Sequence, residues 1–491
     1  MRKYQISSDL LMVIVSFLLL WMGCSTQDTS KIPITTSSNE ARKLFIQGRE
    51  LFERLQGQES LQYFDQATEI DSNFAMAYLY SSFSQPTIVG FFEKLNKAVA
   101  LEDQVSPGEQ LWIQGVEQGA NAFPMQQQDT YKQLVEMYPD DERAHTNLGN
   151  NYYGQQQYQK AVDEYKKVLA INPNFAPVYN QLGYSYRFLG NYDEAEKAFQ
   201  KYIELVPDAP NPYDSYAELL MKQGKFEVSI QQYQKALEKD PNFVASHVGI
   251  ASDYNFLGEY DQARDELQKL FYIARNEGEQ RAARFAMTVS YADQGNYDKA
   301  LDELQWQFEL GKKTNDVPNM TGDLITMGNI LIEQGKYDQA QERFDEANKI
   351  MQDSDMAQEV KANTARAYLF NSAWVALEKN KMKRAKELAQ EFRDQAQAAN
   401  NTFQIWLAHQ MWGMIALKEK NYKTAIDELL QSNLQNPYNM YRLAQAYQGN
   451  GDIDEAKTYY QKAAHDYTLN SLQYAFVRNK AEQKLKSLPT I

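Results

Sequence analysis

Along this chain an aromatic, a carboxylate and a small residue recur in a fixed order. The strings GNYDEA at Gly190, GEYDQA at Gly258, GNYDKA at Gly295 and GKYDQA at Gly335 share it, with variants at Gln156, Gly224, Lys420 and Gly451. Aligned on the small residue, the copies fall at Ala161, Ala195, Ser229, Ala263, Ala300, Ala340, Ala385, Ala425 and Ala456, spaced 34, 34, 34, 37, 40, 45, 40 and 31 residues apart. A fixed period of this size is the mark of stacked supersecondary units. Each unit predicts two helices. The first carries a small residue (Gly149, Gly183, Ala217, Ala251), which lets its partner approach. The second carries an aromatic (Tyr165, Phe199, Tyr233), and Pro173, Pro207 and Pro241 close the units. Pro stops a helix because it lacks an N–H and clashes with the preceding turn. Gly between the helices permits a left-handed turn, and Asp193, Asp261, Asp298, Asp338 and Asp454 suit the starts of second helices.

The same frame runs backward through residues 108–141, 75–107 and 41–74, giving about twelve helix pairs from Ala41 to Asn470, then a single helix from Leu472 to Leu488. Ser106-Pro107-Gly108-Glu109 reads as a capping box with Pro at the first helical position. The columns resemble the tetratricopeptide repeat family. That resemblance implies an all-α, right-handed superhelical solenoid. Its parts are an N-terminal array over 41–280, a C-terminal array with longer repeats over 281–470, and a capping helix over 471–491. Arg478, Lys480, Lys484 and Lys486 on the last helix read as a solvated capping face.

The resemblance also implies a concave groove lined by first helices. At the family's groove positions stand Asn147, Asn150 and Tyr153; then Asn180, Tyr184 and Arg187; then Asp214, Glu218 and Met221; then Ser252 and Asn255. Asn amides pair with both N–H and C=O of an extended peptide, and Tyr supplies contact area at low entropic cost. The family's carboxylate clamp needs basic residues where Thr146, Asn211 and Ser215 stand, so an acidic peptide tail is not the expected ligand.

The N-terminus has another pattern. Arg2 and Lys3 precede an apolar run from Leu10 to Met22, 13 residues long. A bilayer-crossing helix needs about 20; a secretory signal fits. Gly23-Cys24 followed by Ser25-Thr26-Gln27 resembles the lipobox of bacterial lipoproteins, although Trp21 stands where that family prefers an aliphatic residue. The resemblance implies a signal peptide over 1–23, lipidation of Cys24, and a tether over 24–40 whose segment Ser25–Asn39 is flexible. It places the chain in the bacterial cell envelope, facing the periplasm, with the acyl chains as membrane anchor.

Composition narrows the chemistry. A net charge of −15 repels phosphate backbones, which disfavours nucleic acid as partner. One cysteine permits no internal disulfide. Of four histidines, His145, His247 and His409 share one column of the first helices with tyrosines and leucines, which reads as packing rather than metal ligation. With no nucleophile elbow, zinc motif or phosphate loop in the sequence, neither catalysis, metal nor cofactor is expected. Trp306, Trp374, Trp406 and Trp412 gather in the C-terminal half. They read as core; a glycan platform like that of the SusD class of lipoproteins is the alternative. The expected function is a membrane-tethered scaffold or adaptor that binds a protein or peptide.

Overall fold

The computed structural model describes residues 30–54 and 56–488, and these hold 25 α-helices. They run in twelve antiparallel pairs. The first six pairs are α1 (Asn39–Glu53) and α2 (Gly57–Ile70), α3 (Ala75–Phe83) and α4 (Ile88–Val99), α5 (Pro107–Ala120) and α6 (Pro124–Met137), α7 (Glu142–Gly154) and α8 (Tyr158–Ile171), α9 (Ala176–Phe188) and α10 (Tyr192–Leu205), and α11 (Asn211–Lys222) and α12 (Phe226–Lys239). The second six are α13 (Val244–Leu257) and α14 (Tyr260–Ile273), α15 (Glu277–Asp293) and α16 (Tyr297–Thr314), α17 (Val317–Glu333) and α18 (Tyr337–Asp353), α19 (Gln358–Glu378) and α20 (Met382–Ala398), α21 (Thr402–Lys418) and α22 (Tyr422–Leu430), and α23 (Pro437–Asn450) and α24 (Ile453–Ala464). A single helix, α25 (Leu472–Ser487), follows. The longer repeat period after residue 276 lies in both helices of a pair: α15, α17 and α21 have 17 residues and α19 has 21, against 12 to 14 in α7, α9, α11 and α13, while α16, α18 and α20 have 18, 17 and 17, against 14 in α8, α10, α12 and α14.

The repeat columns have a single steric logic. Every residue of the small-residue column from Ala161 to Ala456, Ser229 included, is fully buried. A Cβ added at Gly149 would meet the ring of Tyr165 at 2.5 Å, one at Gly183 the ring of Phe199 at 2.5 Å, and one at Gly328 the ring of Phe344 at 2.2 Å. Glycine and aromatic therefore form one notch and one key within a pair. The turn between the helices is equally regular. Five residues before each column position the backbone is left-handed, through Gly190, Gly224, Gly258, Gly295, Gly335 and Gly451, and through Gln156, Asn380 and Lys420 in the other three repeats.

Two parts differ from the sequence expectation. Residues 31–37, placed within the flexible segment, are fastened across three inter-repeat turns. Lys31 pairs with Glu142 and donates to the Asp140 carbonyl (2.7 Å); the Ile32 amide donates to Asp141 (2.9 Å). The Thr35 amide donates to Glu109 (2.8 Å), and the Ser37 amide to Asp71 (2.9 Å). Each of those carboxylates also sits at a helix end, where it has amide donors to accept from, so the chain's own N–H groups complete the set.

The last helix caps the array with a buried face as well as a solvated one, on which Lys484 and Lys486 are exposed. Phe476, Val477 and Ala481 of α25 are buried in one apolar cluster with Val289 of α15, Met327 and Ile330 of α17, and Tyr441 and Ala444 of α23. Arg478 is buried too: its Nε donates to Asp293 Oδ1 (3.0 Å), a second nitrogen binds the other Asp293 oxygen, and it also reaches the Asn255 carbonyl (3.2 Å). Lys480 pairs with Glu333 of α17 (2.6 Å). The helix thus turns back over the first helices of earlier repeats because its apolar residues need cover, and Arg478 and Lys480 meet carboxylates waiting there.

Successive turns of the array also touch. Asn363 donates to the Asn121 carbonyl (3.3 Å), Asn401 to the Ala122 carbonyl (3.1 Å) and Gln156 to Asn433 (3.0 Å), while Lys222 pairs with Asp466 (2.7 Å).

Candidate binding site

The residues expected to line the groove divide by burial. Asn150 is exposed, and its side chain accepts from Tyr165 Oη (2.8 Å); Asn147 and Tyr153 are half-buried beside it on α7. On α9 and α11, Tyr184, Arg187 and Glu218 form a cluster. Tyr184 Oη donates to Glu218 Oε1 (2.9 Å), and Arg187 Nη1 donates to Glu218 Oε2 (3.0 Å) with its guanidinium 4.8 Å from the Tyr184 ring centre. Asn180, Asp214, Met221, Ser252 and Asn255 are buried between neighbouring first helices. Asp214 accepts from Ser246 (2.7 Å), and Asn255 from Ser290 (2.8 Å). Burial and the nearby Glu218 push the Asp214 carboxyl well above its usual range. These five residues hold the stack together, leaving Asn147, Asn150 and Tyr153 as the reachable end of the strip. Asn147 Nδ2 and Asn180 Oδ1 have no hydrogen-bond partner among the described residues.

The histidine column is a hydrogen-bonding column. His145 Nδ1 lies 2.7 Å from Glu164 and its Nε2 2.9 Å from the Pro139 carbonyl. His247 repeats this with Glu266 (2.5 Å) and the Pro241 carbonyl (2.9 Å), and His409 meets Glu428 (2.7 Å). Tyr179 and Tyr213, in the same column, send their hydroxyls to the corresponding carbonyls of Pro173 (3.0 Å) and Pro207 (3.1 Å). In each His pair the glutamate follows nineteen residues later. The column ties the first helix to the second and to the preceding turn.

Sequence reasoning did not find a pocket of about 680 Å³ between α17, α19, α21, α23 and α25, with Trp374, Tyr422, Tyr438 and Arg442 in its wall. Arg442 is 5% exposed and stands over the Tyr438 ring at 3.8 Å. Its one side-chain hydrogen bond among the described residues runs to Asn439 (3.1 Å). The cavity escaped notice because α25 completes it from beyond the repeats. Of the tryptophans, Trp374 is buried, Trp306 packs on Phe271 and Arg284, Trp406 on Phe403, and Trp412 on Arg393. Cys24 and the residues before it lie outside the described part of the chain.

Family comparison agrees with the repeat frame. Tetratricopeptide repeat models match residues 142–175, 176–209, 216–275 and 437–464. No curated protein matches the chain. Among solved structures, a tetratricopeptide repeat protein from Parabacteroides merdae is 16% identical over 53% of this chain and 98% of its own, with a TM-score of 0.36. The thermophilic TPR protein TTC0263 of Thermus thermophilus is 19% identical over 39% of this chain and 99% of its own, with a TM-score of 0.33. YrrB, described as a TPR protein with an unusual peptide-binding site, is 20% identical over 36% of this chain and 89% of its own, with a TM-score of 0.25. Four segments of the chain thus match tetratricopeptide repeats, and they are set in a continuous run of helix pairs.

Proposed function

We propose that this chain is a membrane-tethered scaffold that holds a protein or peptide partner along the first helices of the repeats around α7 and α9. The observation that carries this reading is the polar strip of α7, where exposed Asn150 stands with half-buried Asn147 and Tyr153. Asn amides pair with both N–H and C=O of a peptide backbone, and Tyr adds contact area at low entropic cost. The double variant Asn147→Ala with Asn150→Ala should lose capture of a partner from native envelope by at least about tenfold, since two hydrogen bonds of about 1 kcal/mol each vanish. Undiminished capture by a fully helical variant would remove the groove from consideration.

The tether rests on the resemblance of Gly23-Cys24 and its apolar leader to a lipobox. It places the chain in a bacterial envelope, facing the periplasm. Cys24→Ser should move the protein from the membrane to the soluble fraction, and continued membrane retention would refute lipidation. No observation favours the glycan-binding alternative, since the tryptophans that would serve it are engaged in packing.

A further inference from the structure

We propose that the cavity closed by α25 is a binding site for a small organic monocarboxylate with a flat, apolar body, its carboxylate seated on Arg442. This site is separate from the groove of α7 and α9 and does not depend on it. A cavity of about 680 Å³ falls within the roughly 300–1,000 Å³ typical of small-molecule sites.

The argument starts from an unmatched charge. The other buried arginine, Arg478, has a carboxylate in Asp293, and the half-buried Arg187 and Arg281 have Glu218 and Asp323, while half-buried Arg366 binds the amide oxygens of Gln404 and Asn363. Arg442 has only the Asn439 amide oxygen, and no carboxylate lies within ion-pair distance among the described residues. Buried charges are paired or they are costly. One face of the guanidinium is covered by Tyr438, and Trp374 stands 5.6 Å off. The edge with its N–H groups is what remains to receive an anion, in the geometry that guanidinium offers to carboxylate.

The surrounding charges select the anion. Lys418, Lys480 and Lys484 line the same cavity with Arg442, against Glu333 and Glu378. Glu333 is already engaged by Lys480 (2.6 Å) and by Tyr438 Oη (2.6 Å). Glu378 accepts from Trp374 Nε1 (3.3 Å). With Glu333 set against Lys480 and Glu378 against Lys418 (4.0 Å), Arg442 is the buried charge left without a partner, and Lys484 is exposed at the rim where solvent screens it, so a single carboxylate completes the buried set. Tyr422, Tyr441 and Tyr460 add aromatic wall, and Gln445 brings an amide with no hydrogen bond among the described residues. Aromatic walls prefer flat partners, stacked or edge-on.

The test uses the full described chain with phenylacetate, indole-3-acetate and 4-hydroxybenzoate, each beside its amide, and with inorganic phosphate, followed by calorimetry and thermal unfolding. At least one acid should bind with Kd at or below about 1 mM, and its amide at least about tenfold more weakly. Arg442→Gln should abolish the difference between acid and amide. Lys484→Gln, at the exposed mouth, should weaken the acid by about twofold to threefold without disturbing the fold, which keeps the question decidable if the buried variant fails to fold. Equal binding of acid and amide, phosphate binding as tightly as the acids, or no acid saturating below about 10 mM would each overturn the assignment.

Discussion

A single left-handed backbone position joins the two helices of each repeat from α7 to α24, and at Gly190 conformation alone chooses the residue. Where Gly190 stands, an added Cβ would touch nothing within 4 Å, so only its φ of +77° demands glycine. L-residues pay about 1–2 kcal/mol to enter this region. Lys420, with φ +60°, carries that strain. Lys420→Gly should therefore raise the urea midpoint by an amount equivalent to about 1 kcal/mol, and Gly190→Ala should lower it by a similar amount. Asp253 is a second residue with a defined cost. It is fully buried and neither carboxylate oxygen has a hydrogen-bond partner among the described residues; the neighbouring Ser229 hydroxyl donates instead to the Ala217 carbonyl (2.9 Å). Burial pushes its carboxyl up to about 8. The folded chain then holds a proton that the unfolded chain releases near pH 4, so stability falls as pH rises from about 4 to about 8 and is level beyond. Asn at this site has no proton to lose. Asp253→Asn should flatten that slope and stabilise the protein at pH 8 by about 2 kcal/mol, read from denaturant midpoints at several pH values. The glycines of these turns stand out in the sequence; Asp253 does not, because its buried column mixes Asn151, Ser185 and Leu219 and nothing local tells that its carboxyl lacks a donor.

At the scale of helices, the His–Glu bridges show what the sequence held and what it concealed. Their column was visible, but the nineteen-residue interval to Glu164, Glu266 and Glu428 has meaning only once the pairing is seen. The role was not, since tyrosine and leucine share the column and suggest packing; the common demand is a group that reaches the carbonyl of a proline six residues back, which His and Tyr both meet. His247 lies between two acceptors. Burial pulls its pKa down, but the Glu266 carboxylate and the Pro241 carbonyl outweigh that and leave it raised, while Glu266 is lowered. The His contribution is complete below about pH 6.5 and is lost as pH rises through the raised value; the Glu contribution is lost in acid. His247→Tyr, which keeps the bond to the carbonyl, should cost about 1 kcal/mol at pH 6 and less at pH 8. A pH-independent difference would show that the bridge is neutral. The helix α25 is the opposite case. Its basic residues read as a polar cap in isolation, and only the presence of Asp293 and Glu333 on other repeats turns Arg478 and Lys480 inward, while Lys484 and Lys486 stay exposed.

Over the whole molecule, twelve pairs and a final helix were legible because the period is local, whereas the meeting of Asn121 with Asn363 was not. That contact is the sum of many small rotations from pair to pair, and no one position encodes it. Its energetic effect is large. In an open array each repeat touches only its neighbours and stability is additive along the chain. Here the bonds at Asn363, Asn401, Gln156 and Lys222 couple distant repeats. Urea unfolding should accordingly be one transition. Tryptophan fluorescence, which reports mainly on residues 306–412, should fall together with far-UV circular dichroism, which reports on every helix. Two separated midpoints would mean that the cross-turn bonds are too weak to join the halves.

The fastened lead at residues 31–37 also decides how the molecule bears force. A pull arriving through that segment does not reach α1 first. It is resisted together by Lys31 at the turn before α7, by Thr35 at α5 and by Ser37 at the turn before α3. Such loading shears several bonds at once instead of unzipping them in sequence, so the leading end of the array is mechanically its reinforced end.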